Sequence, residues 1–143
     1  TRGEYNLTDA LACMLQKGTT FKSFKVTHWF DCGKKESILE TNATLLKKRG
    51  GHVPAADIYK DTIIIHPVSI AEGCNISNAI IGPHVTIGAH TTITQSIIRD
   101  SIIGAYTQLH EVVLDNSLIG SDASVKGLSR SLNIGDNTEI DFG

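Results

Sequence analysis

Four histidines, His66, His84, His90 and His110, are spread along the middle and later part of the 143-residue sequence. An imidazole titrates near neutral pH and is the commonest general base, so each is a candidate to take a proton in catalysis. The competing reading is a polar residue exposed at a turn. Three cysteines, Cys13, Cys32 and Cys74, are odd in number and lack metal-ligand spacing. They point away from a disulfide framework and towards a reducing cytoplasm. Asp31, in Trp29-Phe30-Asp31-Cys32-Gly33, reads on its own as a turn or helix-capping carboxylate. No glycine-rich phosphate cradle occurs in the sequence.

The elements that must position these residues are marked by an internal repeat. Ile70, Ile76, Ile81, Ile87, Ile93, Ile98, Ile103, Leu109, Leu114, Ile119 and Val125 follow one another at steps of five or six residues. A helix of period 3.6 would scatter them over all its faces, and a hairpin meander would show two-residue alternation with turns every eight to twelve residues. Short strands separated by corners fit, three to a coil, with coils stacked at the ordinary strand spacing of about 4.8 Å. The predicted fold is therefore mainly β, a left-handed parallel β-helix over residues 63–143, with the aliphatic residues in columns along its axis. Each would contribute about 1.5–3 kcal/mol before conformational entropy is counted.

Two finer regularities accompany the columns. Small or β-branched residues often stand four after an aliphatic (Cys74, Val85, Thr91, Thr107, Val113, Ala123), and glycine often stands one after it (Gly82, Gly88, Gly104, Gly120, Gly135). Glycine suits both the backbone angles and the close packing of tight corners. Residues 126–133 break the period and are expected to leave the last coil as a loop before Ile134 to Ile140 resume it. Ile80, Ile97, Ile102, Val113 and Leu118, beside the column positions, either complete the core or face outward as a contact between subunits.

Residues 1–52 read as a separate helix–strand–helix piece, joined by a linker at 53–62. A helix capped by Thr8 or Asp9 runs to about Lys17 with Gly18 as its stop. Phe24, Val26, His28 and Phe30 alternate as in a strand. A second helix runs from about Lys35 to Lys48 with Ile38, Leu39, Leu45 and Leu46 inward, and ends at Gly50-Gly51. Charge divides at the same place. Residues 1–60 carry ten Lys or Arg against six acids, and residues 61–143 carry three against nine. The overall balance of −2 gives no sign of nucleic-acid binding. No apolar run reaches the length of a membrane span and no signal peptide opens the chain. The first residue is Thr1, which reads as the edge of a fragment.

Gly3-Glu4-Tyr5-Asn6-Leu7-Thr8-Asp9-Ala10, then Trp29 to Gly33, then Glu36-Ser37-Ile38-Leu39-Glu40-Thr41-Asn42, resemble the closing part of sugar-1-phosphate nucleotidyltransferases of the glucose-1-phosphate thymidylyltransferase type. These enzymes commonly carry a C-terminal hexapeptide β-helix, and the resemblance covers nearly the whole chain. It implies a parent that joins an NTP and a sugar-1-phosphate, releasing pyrophosphate, with Mg²⁺ as cofactor. It also implies that Asp31, at the family's W-x-D-x-G position, is a metal ligand. Glu4 and Asp9 match its G-E-x-x-x-T-D stretch as packing or capping residues. The family's glycine-rich loop, first metal-binding aspartate and E-K-P sugar site are missing. The chain alone is expected to be inactive, an oligomerisation or regulatory part forming a homo-oligomer. The alternative is an acyltransferase using acetyl-CoA, a chemistry that hexapeptide β-helices often carry. None of the four histidines sits in the N-H-x-x-Y-x-G-D context of the bifunctional uridylyl/acetyltransferases.

Overall fold

A computed structural model describes residues 3, 5–54, 59–127, 129–130 and 133–141. Two helices, α1 (Leu7–Gln16) and α2 (Lys35–Arg49), precede a run of very short strands. The strands form three five-stranded sheets in which each strand pairs in parallel with the one three places further on. The first face holds β1 (Ile63–Ile64), β4 (Ile80–Ile81), β7 (Ile97–Arg99), β10 (Val113–Asp115) and β13 (Ser129–Arg130). The second holds β2 (Val68–Ile70), β5 (Val85–Ile87), β8 (Ile102–Ile103), β11 (Leu118–Ile119) and β14 (Asn133–Ile134). The third holds β3 (Asn75–Ser77), β6 (Thr92–Thr94), β9 (Gln108–His110), β12 (Ser124–Lys126) and β15 (Glu139–Asp141). The chain is thus a three-sided, all-parallel solenoid of about five coils.

The register puts the repeated aliphatics into the expected columns. Ile64, Ile81, Ile98 and Leu114 stack on the first face, and Ile70, Ile87, Ile103, Ile119 and Ile134 on the second. Ile76, Ile93, Leu109, Val125 and Ile140 stack on the third. All eleven residues that defined the repeat are at most 1% exposed. The core of this thin rod is little more than those columns.

The corners obey a rule that counts back from the next aliphatic. From Ile76 to Val125 the small residue two before the aliphatic is buried: Cys74, Ala79, Val85, Thr91, Ser96, Ser101, Thr107, Val112, Ser117 and Ala123. Two residues apart on a strand means the same face, so both point inward. Counting forward by four therefore misassigned Val113; Val112 takes the inward place and Val113 is 43% exposed. The hydroxyls among these residues spend themselves on the backbone. Thr91 donates to the Gly104 carbonyl at 2.9 Å, Thr107 to that of Gly120 at 3.1 Å, and Ser101 to that of Arg99 at 2.7 Å. Among the described residues no buried side-chain nitrogen or oxygen lacks a partner, as a core with so little apolar depth requires.

Three residues before each aliphatic from Ile76 to Val125 the backbone is left-handed, and only Gly73 among those residues is a glycine; before Ile70 stands Pro67 instead. Asn78, His84, His90, Gln95, Asp100, Tyr106, Glu111, Asn116 and Asp122 all have φ between 46° and 58°. The glycines at Gly88, Gly104 and Gly120 have another cause. They sit only in six-residue steps, as the extra residue, where the next coil lies against them. A Cβ on Gly88 would lie 2.5 Å from the Ala105 nitrogen and 2.7 Å from the Gly104 carbonyl carbon.

The described part of 126–133 holds strands where a loop was expected. β13 pairs with β10 and β14 with β11, so the coil closes in a shorter step. The period broke because Arg130 stands in register with Leu114, where an aliphatic would continue the column.

The segment before the solenoid differs from the expected helix–strand–helix. Both helices form, but Phe21 to Phe30 contains no strand. Phe24 and Val26 alternate as strand residues do, yet no neighbouring edge lies against them, and an unpaired strand is not stable in water. Asn6, rather than Thr8 or Asp9, caps α1, its Oδ1 accepting from the Thr8 amide at 3.0 Å. Gly50 ends α2 in the left-handed region, with its amide donating to the Leu46 carbonyl at 2.8 Å. Leu39 and Leu46 of α2 are buried, whereas Leu45, expected inward, is largely exposed. Asn42 fixes the helix on the second face. Its Nδ2 donates to the His84 carbonyl at 3.3 Å, and its Oδ1 accepts from the Thr86 hydroxyl at 2.6 Å.

Candidate functional site

Asp31 opens the turn that leads into α2. Its Oδ1 accepts from the Gly33 amide at 3.1 Å, an Asx turn, while α2 begins after Lys34. The carboxylate is exposed and its Oδ2 has no partner among the described residues. No group of three or more His, Cys, Asp or Glu gathers to hold a metal ion among those residues. Mg²⁺ binds through one or two carboxylates completed by phosphates and water. A single free carboxylate oxygen on an Asx turn fits a share of such a site and not the whole of it. Asp9 lies in the first turn of α1, where a carboxylate suits the helix dipole. Glu4 is outside the described residues.

The four histidines occupy different surroundings. His66 and His90 are exposed; His90 stacks on Tyr106 of the next coil with ring centroids 5.1 Å apart. The Nδ1 of His110 is 2.6 Å from the Thr94 hydroxyl, and its Nε2 is 3.5 Å from Glu111. His84 is half-buried beneath α2, with its Nδ1 2.8 Å from the Asp100 carboxylate. Of the two histidines beside a carboxylate, His84 has the closer one, within hydrogen-bond distance, as in a base oriented by an acid. The spacing of sixteen residues, one coil, could have suggested this pair once the coil length was known.

Cys74 is the one buried cysteine, packed near Tyr59. Burial pushes its thiol up from the ordinary value, against the opposing effect of backbone hydrogen bonds, and raises the Tyr59 phenol likewise. Neither group is poised for nucleophilic work, since a reactive cysteine needs a lowered pKa.

Of two surface features, the first was not singled out in the sequence, whereas the second contains Ile80, Ile97 and Val113, which the sequence offered as either core or outward contact. A cleft of about 350 Å³ opens where the end of α2 meets the second face, lined by Asn42, Leu45, Leu46, Arg49, His52, Ser69 and Thr86 with Gly50 and Gly51. The other feature is the outer side of the first face. Ile63, Ile80, Ile97 and Val113 stack outward in register, with Ile63 59% and Ile97 42% exposed. Beside them Arg99 donates to Asp115 at 2.8 Å.

Over 99 residues, 68% of its length, the chain is 30% identical to a glucose-1-phosphate thymidylyltransferase of Streptomyces antibioticus. The chain is similar to the glucose-1-phosphate thymidylyltransferases. A second such thymidylyltransferase, from Streptomyces griseus, is 32% identical over 101 residues. The low-salt glycan biosynthesis nucleotidyltransferase Agl11 of Haloferax volcanii is 30% identical over 127 residues, 71% of the chain. The matches span 27% of each thymidylyltransferase and 34% of the Haloferax protein, so the chain represents only a part of such relatives. No protein-family model matches it. Among the described residues no helix is long and apolar enough to cross a membrane.

Proposed function

We propose that this chain is the oligomerisation or regulatory part of a sugar-1-phosphate nucleotidyltransferase, and that Asp31 supplies one carboxylate to the Mg²⁺ of the intact enzyme. In that enzyme the oxygen of a sugar-1-phosphate attacks the α-phosphorus of an NTP and pyrophosphate leaves. Mg²⁺ when bound offsets charge on the phosphate oxygens. The turn at Asp31–Gly33 contributes orientation: the Gly33 amide holds one carboxylate oxygen and leaves the other facing out.

The observation that carries this reading is the uncovered apolar surface of residues 5–29. No residue of α1 is buried, and Tyr5, Leu7, Phe24 and Trp29 are each at least 74% exposed. A segment so apolar and so bare is one side of a packing interface. A nucleotidyltransferase body, of which the similar proteins have far more than this chain spans, would cover it. The solenoid serves assembly in this reading. The outward column on the first face meets the same column of another copy, and the adjacent Arg99 and Asp115 offer each charge its opposite across the contact.

The test is pyrophosphate release from thymidine triphosphate and glucose 1-phosphate with Mg²⁺, by a protein carrying this chain and by the chain alone. Activity is expected only in the former. There Asp31→Asn should lower kcat by about 10²-fold or more, the scale on which loss of one electrostatic contact at a phosphoryl site is felt. An Asp31→Asn enzyme with unchanged kcat and Mg²⁺ dependence would remove Asp31 from the metal site.

The paired His84 and Asp100 support a second reading, an acyltransferase in which His84 is the base. It requires acetyl-CoA to bind beside His84. Calorimetric titration with acetyl-CoA should then show saturable binding, and absence of heat would dispose of it.

A further inference from the structure

The cleft between α2 and the second face contains three polar side chains that the fold has not used. Asn42 and Thr86 are spent on each other and on the His84 carbonyl. Arg49, His52 and Ser69 have no side-chain partner among the described residues. Yet they converge on one hollow from three separate elements: the last turn of α2, the linker after it, and β2. The linker is fixed there, because the Ile70 amide donates to the His52 carbonyl at 2.7 Å and any Cβ on Gly51 would collide with the backbone of Val68. Leu45 and Leu46 make the remaining wall apolar. Among the described residues no carboxylate lines the cleft.

A guanidinium, an imidazole and a hydroxyl around one hollow suit a tetrahedral oxyanion, because each can donate to a different oxygen. A bare anion would leave the leucine wall unused, and about 350 Å³ is within the range of small-molecule sites. We propose that this cleft binds a phosphate monoester, with its phosphate on Arg49, His52 and Ser69 and its sugar or nucleoside body against Leu45 and Leu46. α2 ties the cleft to the Asp31 turn at its other end. Only that connection rests on the function proposed above; the binding itself is a property of this chain.

The experiment is calorimetric titration of the purified 143-residue chain with glucose 6-phosphate, thymidine 5′-monophosphate, glucose and inorganic phosphate. Saturable binding is expected for at least one ester, and the two esters separate a sugar-phosphate site from a nucleotide site. Inorganic phosphate should bind at least about tenfold more weakly than that ester, and glucose not measurably. Arg49→Gln should weaken the ester at least about tenfold. Lys47→Gln, on the same turn but outside the cleft, should leave it within about twofold. Ser69→Ala gives an independent reading should Arg49→Gln alter the circular dichroism spectrum, and should weaken the ester severalfold. The proposal falls if neither ester binds, or if inorganic phosphate binds as tightly as the esters. Equal losses from Lys47→Gln and Arg49→Gln would overturn it as well, since that is general attraction to a basic helix end.

Discussion

Replacing Gly88 by alanine tests whether the glycines of the six-residue corners serve close approach or backbone freedom. Gly88 does not have positive φ, so no conformational penalty attaches to alanine there. The penalty comes from contact. The new Cβ would stand 2.5 Å from the Ala105 nitrogen, where ordinary contact begins at 3.4 Å, so two coils must part locally by about 0.9 Å. That movement strains the Gly88 amide's hydrogen bond to the Ile103 carbonyl, now 2.8 Å. Overpacking of this kind costs about 1–3 kcal/mol and a weakened backbone bond about 1 more, giving about 2–4 kcal/mol. For a chain of this size the melting temperature should fall by about 5–15 °C. Thermal and urea unfolding followed by far-ultraviolet circular dichroism measure both quantities. Gly135→Ala is the control, because nothing lies within 4 Å of its Cβ. Ala71 holds the same place on the first coil and shows how the reasoning could fail. If the stack takes a methyl group at Gly88 as easily, Gly88→Ala will unfold within about 0.5 kcal/mol of the parent and close approach is not the reason for glycine there.

Ile98→Ala empties the centre of the first-face column, where the side chain is wholly buried between Ile81 and Leu114, and should cost about 2–5 kcal/mol in the same unfolding measurements. Cys74 and Tyr59 have pKa values raised by burial, so each holds its proton more tightly folded than unfolded. The stability they contribute is complete below the unfolded values and lost as pH rises beyond them. Unfolding free energy should therefore decline above about pH 9, the ordinary thiol value, and Cys74→Thr, matching Thr91 in its column, should flatten the part due to the thiol. Ile97→Lys with Val113→Lys should lower the solution mass by light scattering to that of a single chain; an unchanged multiple would clear the first face of any part in assembly.

The columns were legible because eleven aliphatic residues at steps of five and six admit few other arrangements. The corners were legible only in part. Asn78 and Asn116 are natural left-handed residues, but Gln95, Tyr106 and Glu111 hold the same backbone with no signal of their own. Neighbouring coils impose it through bonds such as that from the Tyr106 amide to the Ala89 carbonyl at 2.8 Å. The strand expected over Phe21 to Phe30 failed for the opposite reason, since alternation describes which side would be buried but supplies no partner to bury it. The last coil was hidden by Arg130, a residue whose type contradicts its register. At the candidate site, Asp31 could be placed on a turn from Asp31-Cys32-Gly33 alone, and its Asx bond is the local chemistry of that triplet. The cleft at Arg49, His52 and Ser69 joins residues whose proximity depends on where α2 comes to rest, and local sequence says nothing of that.

The way each corner is measured backward from the next aliphatic gives the rod a tolerance for small insertions. Five-residue and six-residue steps differ by one residue placed just after the preceding aliphatic, while the left-handed residue and the buried small one keep a fixed distance from the aliphatic ahead of them. Gaining or losing a residue at that point changes the length of the outline and leaves each side chain facing as before. A chain of this design can drift in length by single residues without passing through an unfolded ancestor, and a search for a strict period of six will overlook it.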